Sequence, residues 1–284
     1  MVMEVAEVRT PGIGVAHNLR AVKVVVHREA LRFLDDRSRM ISTLIQPVLW
    51  LFVLGTGFGT LVQGAIPGID YRTFIYPGMI SMTVMTTAMF SAGSIVWDRE
   101  YGFLREMLVA PVSRGAIVTG KCLGGAMVAT LQGVVVLALA GLVGVPYDPV
   151  LMVSLLLMMF LTAFTVTAFG VLVAAKMKGI TAFFAIVQMV MMPMLFLSGA
   201  MFPLANLPAW LHILTTINPL TYAVDPLRQS VFSHLDLPAE VSAVLNPGVQ
   251  WAGWQVPVAL ELGLVAVTGL ILLMAAVARF RKGD

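Results

Sequence analysis

Charge is what this chain has least of. Lys, Arg, Asp and Glu make up 12% of its 284 residues, against roughly a quarter in typical soluble domains. They are missing altogether from Met40–Ile69, Thr73–Trp97, Cys122–Tyr147, Pro149–Ala175, Gly179–Val224 and Leu262–Ala278. A helix needs about 20 apolar residues to cross the hydrocarbon core of a bilayer, and few soluble cores use so many uninterrupted runs. Cysteine is almost absent as well. The single Cys122 excludes an intrachain disulfide and says little else about redox compartment. The first 39 residues carry seven basic side chains and no continuous apolar run, so no signal peptide is expected.

Catalytic constellations are also missing. His17, His27, His212 and His234 are dispersed, and none stands at metal-ligand spacing from a second ligand. There is no G-x-S-x-G elbow. Asp98 and Glu100 form a carboxylate pair on paper, but Arg99 and Arg105 beside them favour a structural ion-pair network. The stretch Gly115–Cys122 nearly matches the phosphate-binding pattern G-x-x-x-x-G-K-[ST]. Cys122 fails its last position, because a thiol lacks the hydroxyl that would hold magnesium. The segment also opens an apolar span instead of following a buried strand. Lys121 therefore reads as an anchor at the membrane face, and Gly120-x-x-x-Gly124 as a close-packing surface.

What is present is apolar surface and one-sided positive charge. Hydrophobic residues make up 59% of the chain, including 19 Met. The composition predicts an all-α membrane protein with one domain over 1–284 and six spans near 41–62, 74–96, 119–143, 150–175, 180–201 and 256–278. With both termini inside, 16 of the 18 Lys and Arg residues face the cytoplasm, and only Arg72 and Arg228 lie outside. The positive-inside rule selects that orientation. The pI near 9.2 then reflects a cytoplasmic membrane face, and nucleic acid is not an expected partner. A seventh span within Gly179–Val224 would thread Pro203, Pro208 and Pro219 through lipid, each without a backbone donor. That region is instead expected to leave the membrane near 201 and to continue as a re-entrant or surface segment over 203–224. Pro208 suits a helix start, Trp210, Leu214 and Ile217 share one apolar face, and Asn218-Pro219 ends it.

Two basic-side elements carry patterns. Over 18–39, Leu19, Val22, Val26, Ala30 and Phe33 recur at helical steps, with Arg28, Arg32 and Asp35 opposite. This is an amphipathic helix suited to the interface, its bases near anionic headgroups. Over 97–114, Trp97, Tyr101, Leu104 and Leu108 share a helical face, Asp98, Arg99, Arg105 and Glu106 supply the polar part, Pro111 stops the helix and Ser113 caps the next one. A short charged helix on a cytoplasmic loop can dock a soluble partner, with acids and bases setting register; a solvated loop helix with local ion pairs is the alternative. Within the spans, Pro193 should kink span five, Gly55-x-x-x-Gly59 permits close approach, and Gln46, Gln132 and Gln188 should face protein or a cavity. Helix–helix hydrogen bonding is favoured over substrate contact for each Gln. Met189, Met191, Met192 and Met194 surround Pro193, as adaptable ligand surface or as ordinary filler. Glu261, at the outer end of span six, is either hydrated or paired with Arg228. Trp251 and Trp254 read as interface anchors.

Two segments together resemble a known family: Arg99–Arg114 followed by Gly120-Lys121, and Pro193–Pro203 followed by Leu207–Leu211, Asn218–Tyr222, Asp225 and Arg228. The order and spacing are similar to the membrane subunit of ABC-2-type exporters, in the drug-resistance and nodulation-factor branch. The resemblance implies a non-enzymatic permease that binds no cofactor itself and pairs with a second copy or a related permease. Two separate ATPase subunits would hold ATP and Mg. It implies that Asp98, Arg99, Glu100, Arg105, Glu106 and Arg114 lie in a coupling region that receives the ATPase stroke, and that 18–39 also touches the ATPase. Outer re-entrant helices, with Phe202, Trp210 and Leu214, would cap the pathway; Gln46, Gln188, Met192 and Pro193 are its candidate lining. The expected activity is alternating-access export of an amphipathic drug, lipid or lipid-linked glycan across the plasma (inner) membrane of a bacterial or archaeal-type cell. A stand-alone secondary carrier or channel is the alternative; it predicts more intramembrane charge and internal repeats than are present.

Overall fold

Six helices are long and apolar enough to cross a bilayer: Met40–Gly59, Tyr71–Glu100, Arg114–Leu137, Pro149–Ala174, Ile180–Leu197 and Val258–Phe280. They match the six spans expected from charge-free runs, with boundaries shifted by a few residues. The computed structural model describes residues 14–62, 70–103, 112–177, 179–204, 207–235, 245, 247–251 and 253–282. Helix α1 (Val15–Asp35) precedes the spans. Span one is α2 (Arg37–Leu49) continued through a π-helical turn, Trp50–Leu54, into α3 (Gly55–Val62). The widened turn follows Pro47, which has no N–H to give to the helical ladder. Spans two to five are α4 (Tyr71–Glu100), α5 (Arg114–Leu137), α6 (Pro149–Ala174) and α7 (Ile180–Leu197). Two short helices, α8 (Ala209–Ile217) and α9 (Thr221–Phe232), come before span six, α10 (Val258–Lys282).

The start signals are local. Asp70 accepts from the Arg72 N–H at 3.0 Å and Ser113 from the Ala116 N–H at 3.1 Å. Asp148 accepts from the N–H groups of Val150 and Leu151 at 2.8 and 3.0 Å, with Pro149 in the first position of α6. Each cap satisfies donors that a helix leaves orphaned, worth about 1 kcal/mol apiece. Between spans five and six, Pro208 does precede a short helix and Asn218 does end it. Neither α8 nor α9 has the length of a span. The Asn218 side chain fastens the turn between them: it donates to the Met194 carbonyl at 2.7 Å and accepts from the Leu220 N–H at 3.2 Å. A hairpin of two-residue strands, β1 (Gln250–Trp251) and β2 (Trp254–Gln255), pairs Trp251 with Trp254; the sequence patterns did not indicate it.

Span two is the axis. Its best window is 89% buried, against 17%, 22% and 17% for spans one, five and six, which form the outer wall. In lipid, helices gain little from the hydrophobic effect and hold together through close contact. Span two therefore carries small and hydroxylated residues, with Ser81, Thr83, Ala88, Ser91 and Ala92 all buried. The closest approach is at Gly78, where a Cβ would collide with the backbone carbonyl of Ala200 after span five. Backbone cannot swing aside as a flexible side chain can. Gly78→Ala is therefore expected to destabilise by about 1–3 kcal/mol, the usual cost of overpacking. Gly57, whose added Cβ meets nothing within 4 Å, should accept Ala without loss. Melting of the two purified variants tests this pair; equal midpoints would refute the contact.

Candidate functional site

At the basic end, a lysine sits inside the protein. Lys121, in the second turn of α5, is 3% exposed. Its ammonium donates to Asp98 Oδ2 at 2.6 Å, Glu29 Oε1 at 2.7 Å and Ser94 Oγ at 2.9 Å. An ammonium has three donors, and all three are used. Asp98, 2% exposed, also accepts from Arg28 at 3.1 Å and Arg32 at 3.4 Å. The cluster joins α1, α4 and α5. Glu29 can reach it because α1 lies against glycines: a Cβ at Gly120 would meet Val25 at 2.8 Å, and one at Gly124 would meet Glu29 at 3.0 Å. Asp98 stands 27 residues into α4, about 40 Å along a helix rising 1.5 Å per residue. The hydrocarbon core is about 30 Å thick, so the cluster lies at its edge, within reach of water through the half-exposed Arg28 and Arg32.

The neighbouring charges tie other helix ends to the same point. Arg99 donates to the carbonyls of Ala174, Ala175 and Met177 at 3.2, 3.3 and 2.5 Å. Those carbonyls stand at the C-terminal, negative dipole end of α6 and in the turn that follows it. Glu100 accepts from the N–H of Ile180, the first residue of α7, at 3.4 Å. Arg114 donates to the Phe280 carbonyl near the end of α10 at 2.9 Å. Asp98, Arg99, Glu100 and Arg114 thus clamp α1, α5, α6, α7 and α10 around the end of span two.

Along the membrane wall, spans one, two and five enclose a groove of about 100 Å³ lined by Gln46, Met85, Thr86, Gln188, Met191 and Met192, among others. A second hollow, with Ser42, Thr43 and Thr83, continues from Gln46. Gln132 is different: it is fully buried and donates to the Met40 carbonyl at 2.9 Å and Thr43 Oγ1 at 3.0 Å, binding span three to span one.

At the far end, α9 is buried along nearly its whole length. Arg228 donates to the Gly199 carbonyl and lies over the Phe74 ring, 4.7 Å from its centroid. Asp225 accepts from Gln229 at 2.6 Å and from the Val249 N–H at 3.2 Å. Glu261 is wholly buried with the Asp225 carboxyl beside it, and no cation is paired with it among the described residues.

Residues 20–232 match the family model described as ABC-2 type transporter. The chain belongs to the ABC-2 type transporter family. A putative transport permease, ycf38, of Cyanophora paradoxa is 32% identical over 219 residues, 74% of this chain and 73% of the relative. Nodulation protein J of Rhizobium leguminosarum bv. viciae is 30% identical over 196 residues, 68% of this chain and 75% of its own. A probable multidrug ABC transporter permease, YbhR, of Escherichia coli K12 is 33% identical over 168 residues, 57% of this chain and 45% of that protein. With its six apolar helices, this ABC-2 chain is a multi-pass membrane transport permease of the ABC type.

The structure relocates several side chains. Asp98 does not face outward for docking, because three cations hold it inside. Lys121 is no surface anchor; Glu29, Ser94 and Asp98 enclose it. The helical face proposed for Trp97 to Leu108 is broken, since α4 ends at Glu100 and Gly102 turns with φ 85°, a left-handed value that favours glycine. Leu104, Arg105, Glu106, Leu108 and Pro111 lie outside the described residues. Gly115–Cys122 is helical, so it forms no phosphate loop. Helix α1 is rotated from its expected face: Val25, Glu29 and Phe33 are buried while Leu19 is 63% exposed, because Glu29 follows the lysine. Arg228 does not pair with Glu261. Gln46, Gln188 and Met192 do meet in one groove; Pro193 lies within α7 but does not line it. Phe202 is half-buried, and Trp210 and Leu214 are 64% and 43% exposed on the outer face of α8. Sequence reasoning missed Glu29, although an acid on an apolar helical face was a visible signal.

Removing one partner of a buried ion cluster strands the others and costs about 3–5 kcal/mol. Lys121→Met should therefore lower the melting midpoint strongly. Adding Glu29→Gln and Asp98→Asn to it should recover part of the loss. A triple variant no more stable than the single one would show that the cluster is not the source.

Proposed function

We propose that this chain is the permease half of an ATP-driven exporter whose ATPase is a separate cytoplasmic protein, present in two copies beside two permeases, the second a copy or a related chain. ATP and Mg belong to that ATPase, and this chain hydrolyses nothing. Both termini lie in the cytoplasm, and the membrane is the plasma membrane of a bacterial or archaeal-type cell. The reading rests on the family and on one observation above all: the ends of five helices converge on residues 98–100 and 114, on either side of residues 104–111. A push on that segment would reach α1 and spans three to six at once, through the hydrogen bonds and ion pairs made by the residues that flank it.

Conformational coupling needs an element with two discrete arrangements. Span five fits, with one row of residues, Phe183, Val187, Met191 and Leu195, buried against the body. Gln46, Gln188 and Met192 face the groove it shares with spans one and two, so tilting span five would open or close a mostly apolar path with two amide contacts. An amphipathic drug, lipid or lipid-linked glycan suits such a lining better than a small ion. Helices α8 and α9, with Phe202, Trp210 and Leu214, would cap its outer end.

Affinity purification of the tagged chain from its native membranes should bring down an ABC-type ATPase in equal amount, and Glu106→Lys should weaken that capture while membrane insertion persists. Purified chain alone should neither hydrolyse ATP nor move an amphipathic dye along an ion gradient. Gradient-driven transport by the chain alone would overturn the proposal in favour of a secondary carrier.

A further inference from the structure

We propose that a cleft on the opposite side of span five is a binding site for one acyl chain of a bilayer phospholipid. The cleft has a volume of about 480 Å³ and runs between spans four, five and six, from Tyr222 and Trp251 at its far end down to Phe169 and Leu272. Pockets of this size hold small ligands. Its depth places it in hydrocarbon, because its walls come from the middles of Pro149–Ala174 and Val258–Lys282 and from the far half of Ile180–Leu197.

All but one of the side-chain polar groups on its walls are occupied from within; the exception is the lone hydroxyl of Thr268. Thr162 donates to the Met158 carbonyl at 2.9 Å and Thr165 to the Val265 carbonyl at 3.0 Å. The Tyr222 hydroxyl donates to the Thr216 carbonyl at 2.7 Å and accepts from the Trp251 indole at 2.8 Å. Water needs two to four polar partners to stay in a cavity, and these groups offer it little. A headgroup or a sugar would find no charge inside. An empty cleft would forfeit dispersion contacts along its full length. Ile217, which lines the cleft, is 72% exposed, so the mouth is apolar there and in a bilayer acyl chains are the molecules already at it. Tyr222 and Trp251 mark the end where a headgroup would rest, the level that amphipathic aromatics prefer.

The inference requires only that the chain crosses a bilayer, and it stands apart from the export reading. The full-length protein, reconstituted in phosphatidylethanolamine–phosphatidylglycerol vesicles doped with a phospholipid carrying a photoreactive diazirine on one acyl chain, tests it. Illumination should label Val190, Met194, Leu264 and Thr268 several-fold more than Val153 and Leu157, which are exposed on the same membrane wall. Val190→Phe and Thr268→Phe, both at half-buried lining positions, should each remove that enrichment and leave Val153 and Leu157 labelled as before. Uniform labelling of every lipid-facing span would overturn the site. So would disulfide bonding between two copies through cysteines placed at 190 and 268, which would make the cleft a subunit interface.

Discussion

One buried ammonium organises the basic end of this molecule. Lys121 is taken from water almost completely, a change that would cost several kcal/mol if it were uncompensated. Ser94, Asp98 and Glu29 use its three donors, and Arg28 and Arg32 then balance the two carboxylates. A hydrophobic replacement of the whole set could be as stable, so stability alone does not account for it. What the set adds is register. Glu29 comes from α1, and Ser94 and Asp98 from successive turns of α4, so a slip of one residue in either helix would leave a charge unpaired. Helix α1 is therefore fixed against span three at Gly120 and Gly124, and span two is fixed against both.

From that point outward, the clamps use helix ends. Arg99 binds carbonyls at the C-terminal end of α6, Glu100 takes an N–H at the start of α7, and Arg114 takes a carbonyl from the end of α10. Spans five and six bury little of their own surface. Their position in the membrane therefore depends strongly on these terminal ties and on the matching ties at the other end, such as Asn218 to the Met194 carbonyl. A bundle pinned at its ends and thinly packed along one wall can change shape in that wall while its axis, span two, stays whole.

The span count and the break after span five were legible because the bilayer imposes length and forbids proline-rich crossings, constraints that act residue by residue. Ser113 as a cap and Pro208 as a helix start were legible for the same reason: their partners lie within one turn. The ion cluster was not. Glu29, Asp98 and Lys121 are separated by 69 and 23 positions, and their pairing depends on how closely α1 approaches two glycines, which no periodicity records. Lys121 was read as an anchor at the membrane face, which misplaced it, whereas Asp98 does sit in a structural ion-pair network as expected, though with Arg28, Arg32 and Lys121 as its partners. Arg228, one of two exceptions to the basic asymmetry, turns out to lie inside the protein against Gly199 and Phe74, where it does not act as a loop charge. Of the pathway residues, Gln46 and Gln188 could be recognised as polar groups in apolar runs, yet only the fold puts them in one groove.

Span five separates two cavities of different character. The groove toward spans one and two carries amides; the cleft toward spans four and six carries hydrocarbon and hydroxyls that, Thr268 apart, are hydrogen-bonded from within. Met191 lines both. A rigid helix cannot widen one without narrowing the other unless the rest of the bundle gives way, and span two is too deeply packed to give. Whatever fills the apolar cleft therefore bears directly on the width of the polar groove. An acyl chain would suit the tilt proposed for span five, since it has no hydrogen bond to break and could withdraw into the bilayer to let that helix approach span four. A side chain of equal volume would have held span five in place.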